Sequence, residues 1–331
     1  MNKRSFSLLI CAALSLSLQI ESALAGKFIN FDVPGAIRGT FPNAINEDNT
    51  TSGYAEDNNG IHGFVRKADG TIISFDAPGA IETHPLAINA AEEIAGYYVS
   101  SDAAHGFVRE RDGTITVLDF PNADQTYVLD INKNGEITGE FEDPGYRAFL
   151  KKRDGKFKEF GVKNTGNQGM VINDGGTVAG RYCDTSCWGS FGAFIRAPDG
   201  TISTFSVPGE QMTLPQGLNK SGLIAGTALD SNFAGEGFLR MPDGQITTDS
   251  QCDFTALNNK GAAVGTAKVN RVYHGCIRAP DGTDTFFDDP NAGVGDLQGT
   301  HPFGINNAFY VTGDYQDSNG NFHGFLVHVA H

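Results

Sequence analysis

Residues 83–123 read THPLAINAAEEIAGYYVSSDAAHGFVRERDGTITVLDFPNA, and this stretch is one copy of a unit that the chain repeats. The copy before it, residues 40–80, carries the same landmarks in the same order: a Thr-x-Pro entry, an Ile-Asn pair, a Gly-Tyr pair, a His-Gly-Phe-Val-Arg run and an Asp-Gly-Thr-Ile turn. A strand-like pattern that recurs about every 43 residues is typical of a repeat architecture.

An asparagine that follows Ile or Leu aligns the units along the chain. Turn-forming residues, usually with a Gly, come shortly after each of these asparagines, and they tolerate the positive φ that tight hairpins need. One strand therefore ends near the asparagine, and a second strand continues to the next Gly. The seven aligned positions are Asn46, Asn89, Asn132, Asn173, Asn219, Asn258 and Asn306.

Two further strands complete each unit. A third strand starts at the small residue before Phe, as at Gly106-Phe107, and an Asp-Gly turn such as Asp112-Gly113 leads into a fourth. The sequence beyond residue 25 shows no helical pattern of useful length. Because four-stranded sheets repeated around an axis form a β-propeller, we predict an all-β fold, a seven-bladed β-propeller with four antiparallel strands per blade.

The two ends of the repeat region complement each other. Residues 27–36, KFINFDVPGA, match the end of a unit, whereas the last unit stops after its third strand. We therefore expect the N-terminal strand to complete the last blade and close the ring, which removes a free sheet edge. An open solenoid would not need complementary ends. Residues 26–331 are predicted to form this single domain.

Residues 1–25 have the pattern of a signal peptide. Lys3 and Arg4 precede an apolar run over residues 6–20, and Ala23 and Ala25 form an A-x-A cleavage site. The apolar run is shorter than the about 20 residues that a membrane-spanning helix needs. No later run is long enough either, so we expect a protein without a membrane span that is secreted or periplasmic.

The charge of the chain limits its partners. The formal net charge is −15 at pH 7, and an acidic surface disfavours nucleic acid and anionic lipid as partners. The expected partner is therefore a glycan or an extracellular protein. We expect the protein itself to be a monomer.

Four cysteines lie beyond the signal peptide, and an even count in an exported protein predicts disulfides. Cys183 and Cys187 bracket one short loop and are paired in our prediction, which leaves Cys252 to pair with Cys276. A C-x3-C sequence without a second ligand pair is a poor zinc signature, so we predict no metal site.

The pattern Ala-Ile-Asn, Ala-Gly-Tyr and His-Gly-Phe over residues 87–107 resembles the extracellular HAF-repeat proteins of bacteria, in which His-Ala-Phe follows an Ile-Asn-x-x-Gly segment. The resemblance covers nearly the whole chain beyond residue 25. Gly usually replaces the middle Ala here, although Ala148-Phe149 and Ala193-Phe194 keep it. The resemblance implies export and a repeat fold, and it supplies no catalytic residue.

Two sets of polar residues recur at one equivalent position in several units, which argues for a structural role because a single active site does not need several copies. The first set precedes the third strand and is expected to hydrogen-bond to the backbone; the second is expected to cap turns. The histidines are His62, His105, His274 and His323, and the aspartates are Asp57, Asp143, Asp184, Asp230 and Asp317.

Positions that vary between units are better candidates for function. One lies five residues before each aligned asparagine, and if the first strands are innermost these side chains ring the mouth of a central channel. The alternative is simple packing at strand starts. The seven residues are Phe41, His84, Tyr127, Gln168, Leu214, Asp253 and His301.

From these positions we select candidate site residues. The catalytic candidates are His84, His301 and Asp253, together with Glu236, which takes the histidine position in the fifth unit. The ligand-binding candidates combine polar and aromatic side chains, which suit small ligands or sugars. They are Tyr127, Gln168, Arg147, Arg181 and Trp188.

Trp188 is the single tryptophan and lies beside the proposed Cys183–Cys187 disulfide. A Trp on a pinned loop is suited to stacking on a sugar or to contacting a protein partner. Covering the edge of its own blade is the alternative.

The sequence contains no nucleophile elbow, no zinc-protease motif, no phosphate-binding loop and no complete Ca²⁺ loop. Asp-rich loops such as residues 57–60 could take Ca²⁺, but turn formation explains them equally, so no cofactor is predicted. We therefore expect an exported binding module for a glycan or a protein. The alternative is an extracellular polysaccharide hydrolase or lyase with acid–base groups at the channel mouth, and the fold cannot choose between these two classes.

Overall fold

A computed structural model describes residues 26–183 and 190–329, and every helix or strand among them is a β-strand. Residues 1–25, Asp184, Cys187 and Trp188 lie outside these ranges, so the signal peptide and the roles predicted for these three residues stay predictions. In chain order the strands are β1 (Ile29–Phe31), β2 (Gly39–Ile45), β3 (Thr51–Glu56), β4 (Ile61–Arg66), β5 (Ile72–Phe75), β6 (Glu82–Ile88), β7 (Ile94–Val99), β8 (Ala104–Arg109), β9 (Ile115–Leu118), β10 (Gln125–Ile131), β11 (Ile137–Glu142), β12 (Tyr146–Lys151), β13 (Phe157–Phe160), β14 (Gly166–Ile172), β15 (Val178–Cys183), β16 (Phe191–Arg196), β17 (Ile202–Phe205), β18 (Met212–Leu218), β19 (Ile224–Leu229), β20 (Gly235–Arg240), β21 (Ile246–Asp249), β22 (Asp253–Leu257), β23 (Ala263–Val269), β24 (Val272–Arg278), β25 (Asp284–Phe287), β26 (Gly299–Ile305), β27 (Tyr310–Gln316) and β28 (Phe322–His328).

Successive strands pair antiparallel in groups of four, as β2 to β5 and β6 to β9 do, which agrees with the predicted meander. The hydrogen bonds nevertheless define four sheets among the described residues, three of eight strands and one of four. Separate four-stranded sheets were expected, and the difference arises because single parallel pairings such as Ile61 with Glu82 join neighbouring groups. The N-terminal strand β1 pairs with β28, as predicted.

The aligned asparagines link each unit to the next. Each side-chain oxygen accepts from two backbone N–H groups of its own turn, as Asn258 Oδ1 does from Lys260 and Ala262, both at 3.0 Å. Each side-chain nitrogen donates to the carbonyl of the next aligned asparagine, and the seventh, Asn306, donates to Asn46. The seven inter-unit bonds measure 3.0 to 3.3 Å and return to their starting point.

A buried threonine fixes the connection into most units. Its hydroxyl accepts from the backbone N–H just before the connecting turn, for example from Ala77 to Thr83 at 3.2 Å. The sixth unit has Cys252 in place of this threonine and lacks the Pro-Gly-Ala connection. There a disulfide ties the start of the first strand to Cys276 of β24, the third strand of the same unit. The predicted Cys252–Cys276 pairing is confirmed.

Third-strand phenylalanines form the core between units. Phe64 and Phe107 are fully buried, and each contacts a fourth-strand ring of the unit before it, Phe31 and Phe75, edge-on at centroid distances of 6.1 and 6.2 Å. The repeated Gly at the centre of each second strand allows close approach, because a Cβ at Gly96 would collide with the backbone of His84.

The first strand of each group lines a central channel. Each of these strands carries a β-bulge, such as the one between Pro85 and Ala87, and the bulged residue faces the channel. The middle section holds a cavity of 430 Å³, and the end that carries the aligned asparagines holds one of 390 Å³. The first strands are therefore innermost, which places the variable positions at the opposite mouth.

No helix in the described part of the chain is long and apolar enough to cross a membrane.

Candidate functional site

The mouth opposite the asparagine ring is built from two residues of each unit. The first is the variable first-strand residue, five residues before the aligned asparagine. The second lies opposite it on the second strand, eight residues after the asparagine. The seven opposed pairs are Phe41 with Tyr54, His84 with Tyr97, Tyr127 with Glu140, Gln168 with Arg181, Leu214 with Thr227, Asp253 with Thr266, and His301 with Asp314.

The third and fourth units form a pocket of 230 Å³ at this mouth. Its walls include three of the five predicted ligand-binding residues, Tyr127, Gln168 and Arg181. Arg181 Nε donates to Gln168 Oε1, and the guanidinium lies over the Phe191 ring, 4.8 Å from its centroid. The Tyr127 hydroxyl donates to Gln125 at 2.7 Å, which orients that ring. Polar groups therefore converge between aromatic walls.

Glu140 is a further member of this pocket that our sequence-based prediction missed. Its side chain lines the cavity although the residue is only 8% exposed, and its Oε2 has no hydrogen-bond partner in the part of the chain that the structure describes. Burial raises the pKa of Glu140 to about 7, against the opposing effects of Gln168 and Arg181. Glu140 therefore offers a buried acceptor and a carboxyl that changes charge near neutral pH.

A groove of 730 Å³ adjoins the pocket, and Tyr146 and Gly166 line both. Arg147, another predicted ligand-binding residue, lies in this groove and pairs with Glu159 at 3.2 Å. The loop with Lys163 and Asn164 forms the opposite wall, and both residues are exposed. Pocket and groove together form one continuous surface that a chain-like molecule can follow.

Aromatic side chains fill the neighbouring sector of the mouth. His84 stacks on Tyr97 at a centroid distance of 4.7 Å, and its Nε2 lies 3.0 Å from Glu82. Tyr97 contacts Tyr127 edge-on at 5.0 Å, so this sector continues into the pocket wall. His84 is thus a packed and hydrogen-bonded part of an aromatic wall.

His301 and Asp314 form a histidine–carboxylate pair at the mouth. His301 Nδ1 lies 2.9 Å from Asp314 Oδ1, and Asp314 is only 3% exposed. Burial raises the pKa of Asp314, and the bond to His301 opposes that effect. A carboxylate in this position fixes the orientation and tautomer of an imidazole.

The four catalytic candidates do not come together. His84 and His301 have the separate partners described above. Burial, followed by the charge of Asp249, raises the pKa of Asp253. Glu236 lies near Glu210, because its charge contributes to the raised pKa of that residue. Among the described residues, no hydrogen bond or ion pair joins any two of these four candidates.

The repeated histidines have carboxylate partners where we expected backbone ones, so that expectation was wrong. His105 Nδ1 lies 3.1 Å from Asp119 at the end of the fourth strand, and His62, His274 and His323 make the same contact with Asp76, Asp288 and Asp32. The reason is the sheet register, which sets the third and fourth strands side by side. Each pair ties those two strands together.

The repeated aspartates that can be described mostly cap turns, as predicted. Asp57 accepts from the backbone N–H of Asn59 and Gly60, and Asp230 and Asp317 make equivalent bonds. Residues 26–183 and 190–329 contain no group of three or more His, Cys, Asp or Glu side chains placed to hold a metal ion.

Neither protein-family models nor curated protein sequences give a match to this chain. Several solved structures do match it. Virginiamycin B lyase from Staphylococcus aureus has 15% identity and a TM-score of 0.61 over 91% of this chain and 99% of its own. The β-propeller domain of the Trilobed protease from Pyrococcus furiosus, described as having an open velcro topology, has 8% identity and a TM-score of 0.62 over 87% of this chain and 95% of its own.

The acylaminoacyl peptidase of Pyrococcus horikoshii is a third similar structure, with 10% identity and a TM-score of 0.60 over 92% of this chain and 52% of its own. At such identities the likeness concerns the fold alone. The chain has an all-β, β-propeller fold.

Proposed function

We propose that this chain is an exported, seven-bladed propeller of the HAF-repeat type that binds a glycan at the channel mouth. The circuit of seven bonds between the aligned asparagines supports the closed ring. The pairing of β1 with β28 supports closure of the last blade by the N-terminal strand. The signal-peptide pattern of residues 1–25 and the Cys252–Cys276 disulfide support export.

The pocket in the third and fourth units carries the functional part of the proposal. A glycan offers hydroxyl groups that both donate and accept hydrogen bonds, and it offers C–H faces that pack on aromatic rings. The pocket supplies an acceptor on Glu140, donors on Arg181 and aromatic rings from Tyr127 and Phe191. Convergent polar groups on an apolar wall are the usual form of a small-ligand site.

A glycan array tests this function. Wild-type protein should bind a restricted set of glycans, and Gln168→Leu should weaken that binding at least tenfold, because it removes the partner of the Arg181 guanidinium. The fifth unit has Leu214 at this position, so the fold accepts the substitution. Gln216→Leu makes the same chemical change in the channel wall and should bind as the wild type does. An array without signal would exclude glycan binding as the function and favour a protein partner.

The His301–Asp314 pair favours a second candidate function, an extracellular polysaccharide hydrolase or lyase. A buried carboxylate behind an imidazole is the arrangement that supports general-base chemistry. Incubation with a panel of polysaccharides should then give new reducing ends or unsaturated products, and His301→Ala should abolish them. The absence of products with every polysaccharide would exclude this candidate and leave the binding function untouched.

A further inference from the structure

The pocket of the third and fourth units combines a carboxylate with a guanidinium. Among the seven opposed pairs, adjacent pairs bring a carboxylate and an arginine together only here, as Tyr127–Glu140 and Gln168–Arg181. Gln168 accepts from Arg181, and it also affects the pKa of Glu140, so the two charged groups border the same amide side chain.

This pairing limits the charge of a bound group. An ammonium group would be attracted by Glu140 but repelled by the half-buried Arg181. A carboxylate or phosphate would be attracted by Arg181 but repelled by Glu140. A neutral group with one donor and one acceptor satisfies both side chains. The acceptor it must meet is Glu140 Oε2, which has no hydrogen-bond partner among the described residues.

The rest of the pocket is apolar. Phe191 lies beneath the Arg181 guanidinium, and the Tyr127 and Tyr146 rings line the remaining walls. A bound group should therefore present an apolar part beside its donor and acceptor. An acetamido group has these three features: an N–H that donates, a carbonyl that accepts and a methyl that packs on aromatic rings.

On the basis of the proposed glycan-binding function, we propose that this pocket recognises the acetamido group of an N-acetylated amino sugar. The acetamido N–H donates to Glu140 Oε2, the carbonyl oxygen accepts from a terminal nitrogen of Arg181, and the methyl packs against Tyr127 and Phe191. The 230 Å³ of the pocket suits one sugar ring with its substituent, whereas the 730 Å³ groove that begins at Tyr146 accommodates the following rings.

Three trisaccharides with the same linkage isolate the acetamido group. Isothermal titration calorimetry with chitotriose, cellotriose and the glucosamine trimer compares an acetamido, a hydroxyl and an ammonium group at the same ring position. Chitotriose should bind at least tenfold more tightly than either of the others, because the hydroxyl lacks the second polar atom and the methyl, and the ammonium group is repelled by Arg181.

Substitutions at Glu140 test the acceptor. Glu140→Gln keeps an oxygen acceptor without its charge, whereas Glu140→Thr introduces the side chain that Thr227 and Thr266 already carry at this position. Chitotriose affinity should fall in the order wild type, Glu140→Gln, Glu140→Thr, with the last at least tenfold weaker. Glu56→Gln, on the second strand of the first unit, is the matched control and should leave it unchanged.

The outcomes separate this inference from the proposed function. Equal affinity for chitotriose and cellotriose, or wild-type affinity in both Glu140 variants, would overturn acetamido recognition while leaving glycan binding in place. Failure of all three trisaccharides together with an empty glycan array would overturn both. Thermal unfolding of each variant confirms that affinities are compared between folded proteins.

Discussion

Asn258 provides a sharp test of how the repeated units are held together. It is 4% exposed, accepts from Lys260 and Ala262 and donates to the Asn306 carbonyl, with all three bonds at 3.0 Å. A buried hydrogen bond contributes about 1 kcal/mol, and a buried group left without a partner costs about 1–3 kcal/mol. Asn258→Ala should therefore lower the free energy of unfolding by about 3–4 kcal/mol.

A second substitution separates the two roles of this side chain. Asn258→Asp keeps the oxygen that accepts from the turn but places a carboxylate oxygen against the Asn306 carbonyl, where the amide nitrogen donates in the wild type. Its cost should be largest at neutral pH. It should shrink as the pH falls, because a protonated carboxyl can donate to that carbonyl again.

Urea denaturation followed by circular dichroism measures these changes. Asn58→Ala, at an exposed turn position, is the control and should change stability by less than about 0.5 kcal/mol. If Asn258→Ala costs no more than this control, or if Asn258→Asp shows no rescue at low pH, the asparagine ring does not hold the units together.

Three further predictions concern pH and the disulfide. Burial raises the pKa of Asp130 and of Glu140 to about 7, so the folded state holds protons that the unfolded state releases. The free energy of unfolding should therefore fall between about pH 4 and pH 7, by about 4 kcal/mol for Asp130 and about 3 kcal/mol for Glu140, and level off above. A stability curve that rises over this range would contradict it. Reduction of the Cys252–Cys276 disulfide, or the Cys252→Thr variant, should lower the free energy of unfolding by about 3 kcal/mol, as expected for a sequence separation of 24. An unchanged melting temperature in the presence of reductant would contradict this. Chitotriose affinity should rise by up to about tenfold from pH 6 to pH 8, because the Glu140 carboxylate accepts from the acetamido N–H more strongly than the neutral carboxyl does. Glu140→Gln should bind equally well at both pH values, and calorimetry at each pH decides.

The repeat made the strand order of this fold predictable. The aligned asparagines, the Gly of each second strand and the Asp-Gly turns mark strand ends by backbone requirements that the sequence displays directly. The joining of neighbouring groups was not predictable, because it depends on single pairings such as Tyr273 with Gly299, which no local pattern records.

Only the site residues on the first strand of each unit could be predicted from the repeat. The positions of Tyr127 and Gln168 follow from their distance to an aligned asparagine, whereas Glu140 and Arg181 face them through the sheet register. Arg181 was selected because of its loop, and Glu140 was missed. The available signal was the residue eight places after each asparagine, which varies around the ring as widely as the residue five places before it.

The role of Asp314 and the partners of the repeated histidines were not predictable either, because they also depend on how the strands pair. Asp314 takes the same second-strand position in the last unit, where it meets His301. Three of the carboxylates that contact the histidines lie fourteen residues further along the chain, as Asp119 does from His105, and the fourth, Asp32, follows the N-terminal strand. Only the pairing of the third and fourth strands makes them neighbours. Repetition favours a structural role for these histidines, but it could not identify their partners.

A crystal structure of the protein with bound chitotriose would show whether the pocket recognises the acetamido group. We predict electron density for one N-acetylated ring in the pocket, with the acetamido nitrogen about 3 Å from Glu140 Oε2, the carbonyl oxygen at a similar distance from Arg181, and the following rings in the groove beyond Tyr146. Density for the sugar beside His301, or a bound ring whose acetamido group points away from Glu140, would contradict the account.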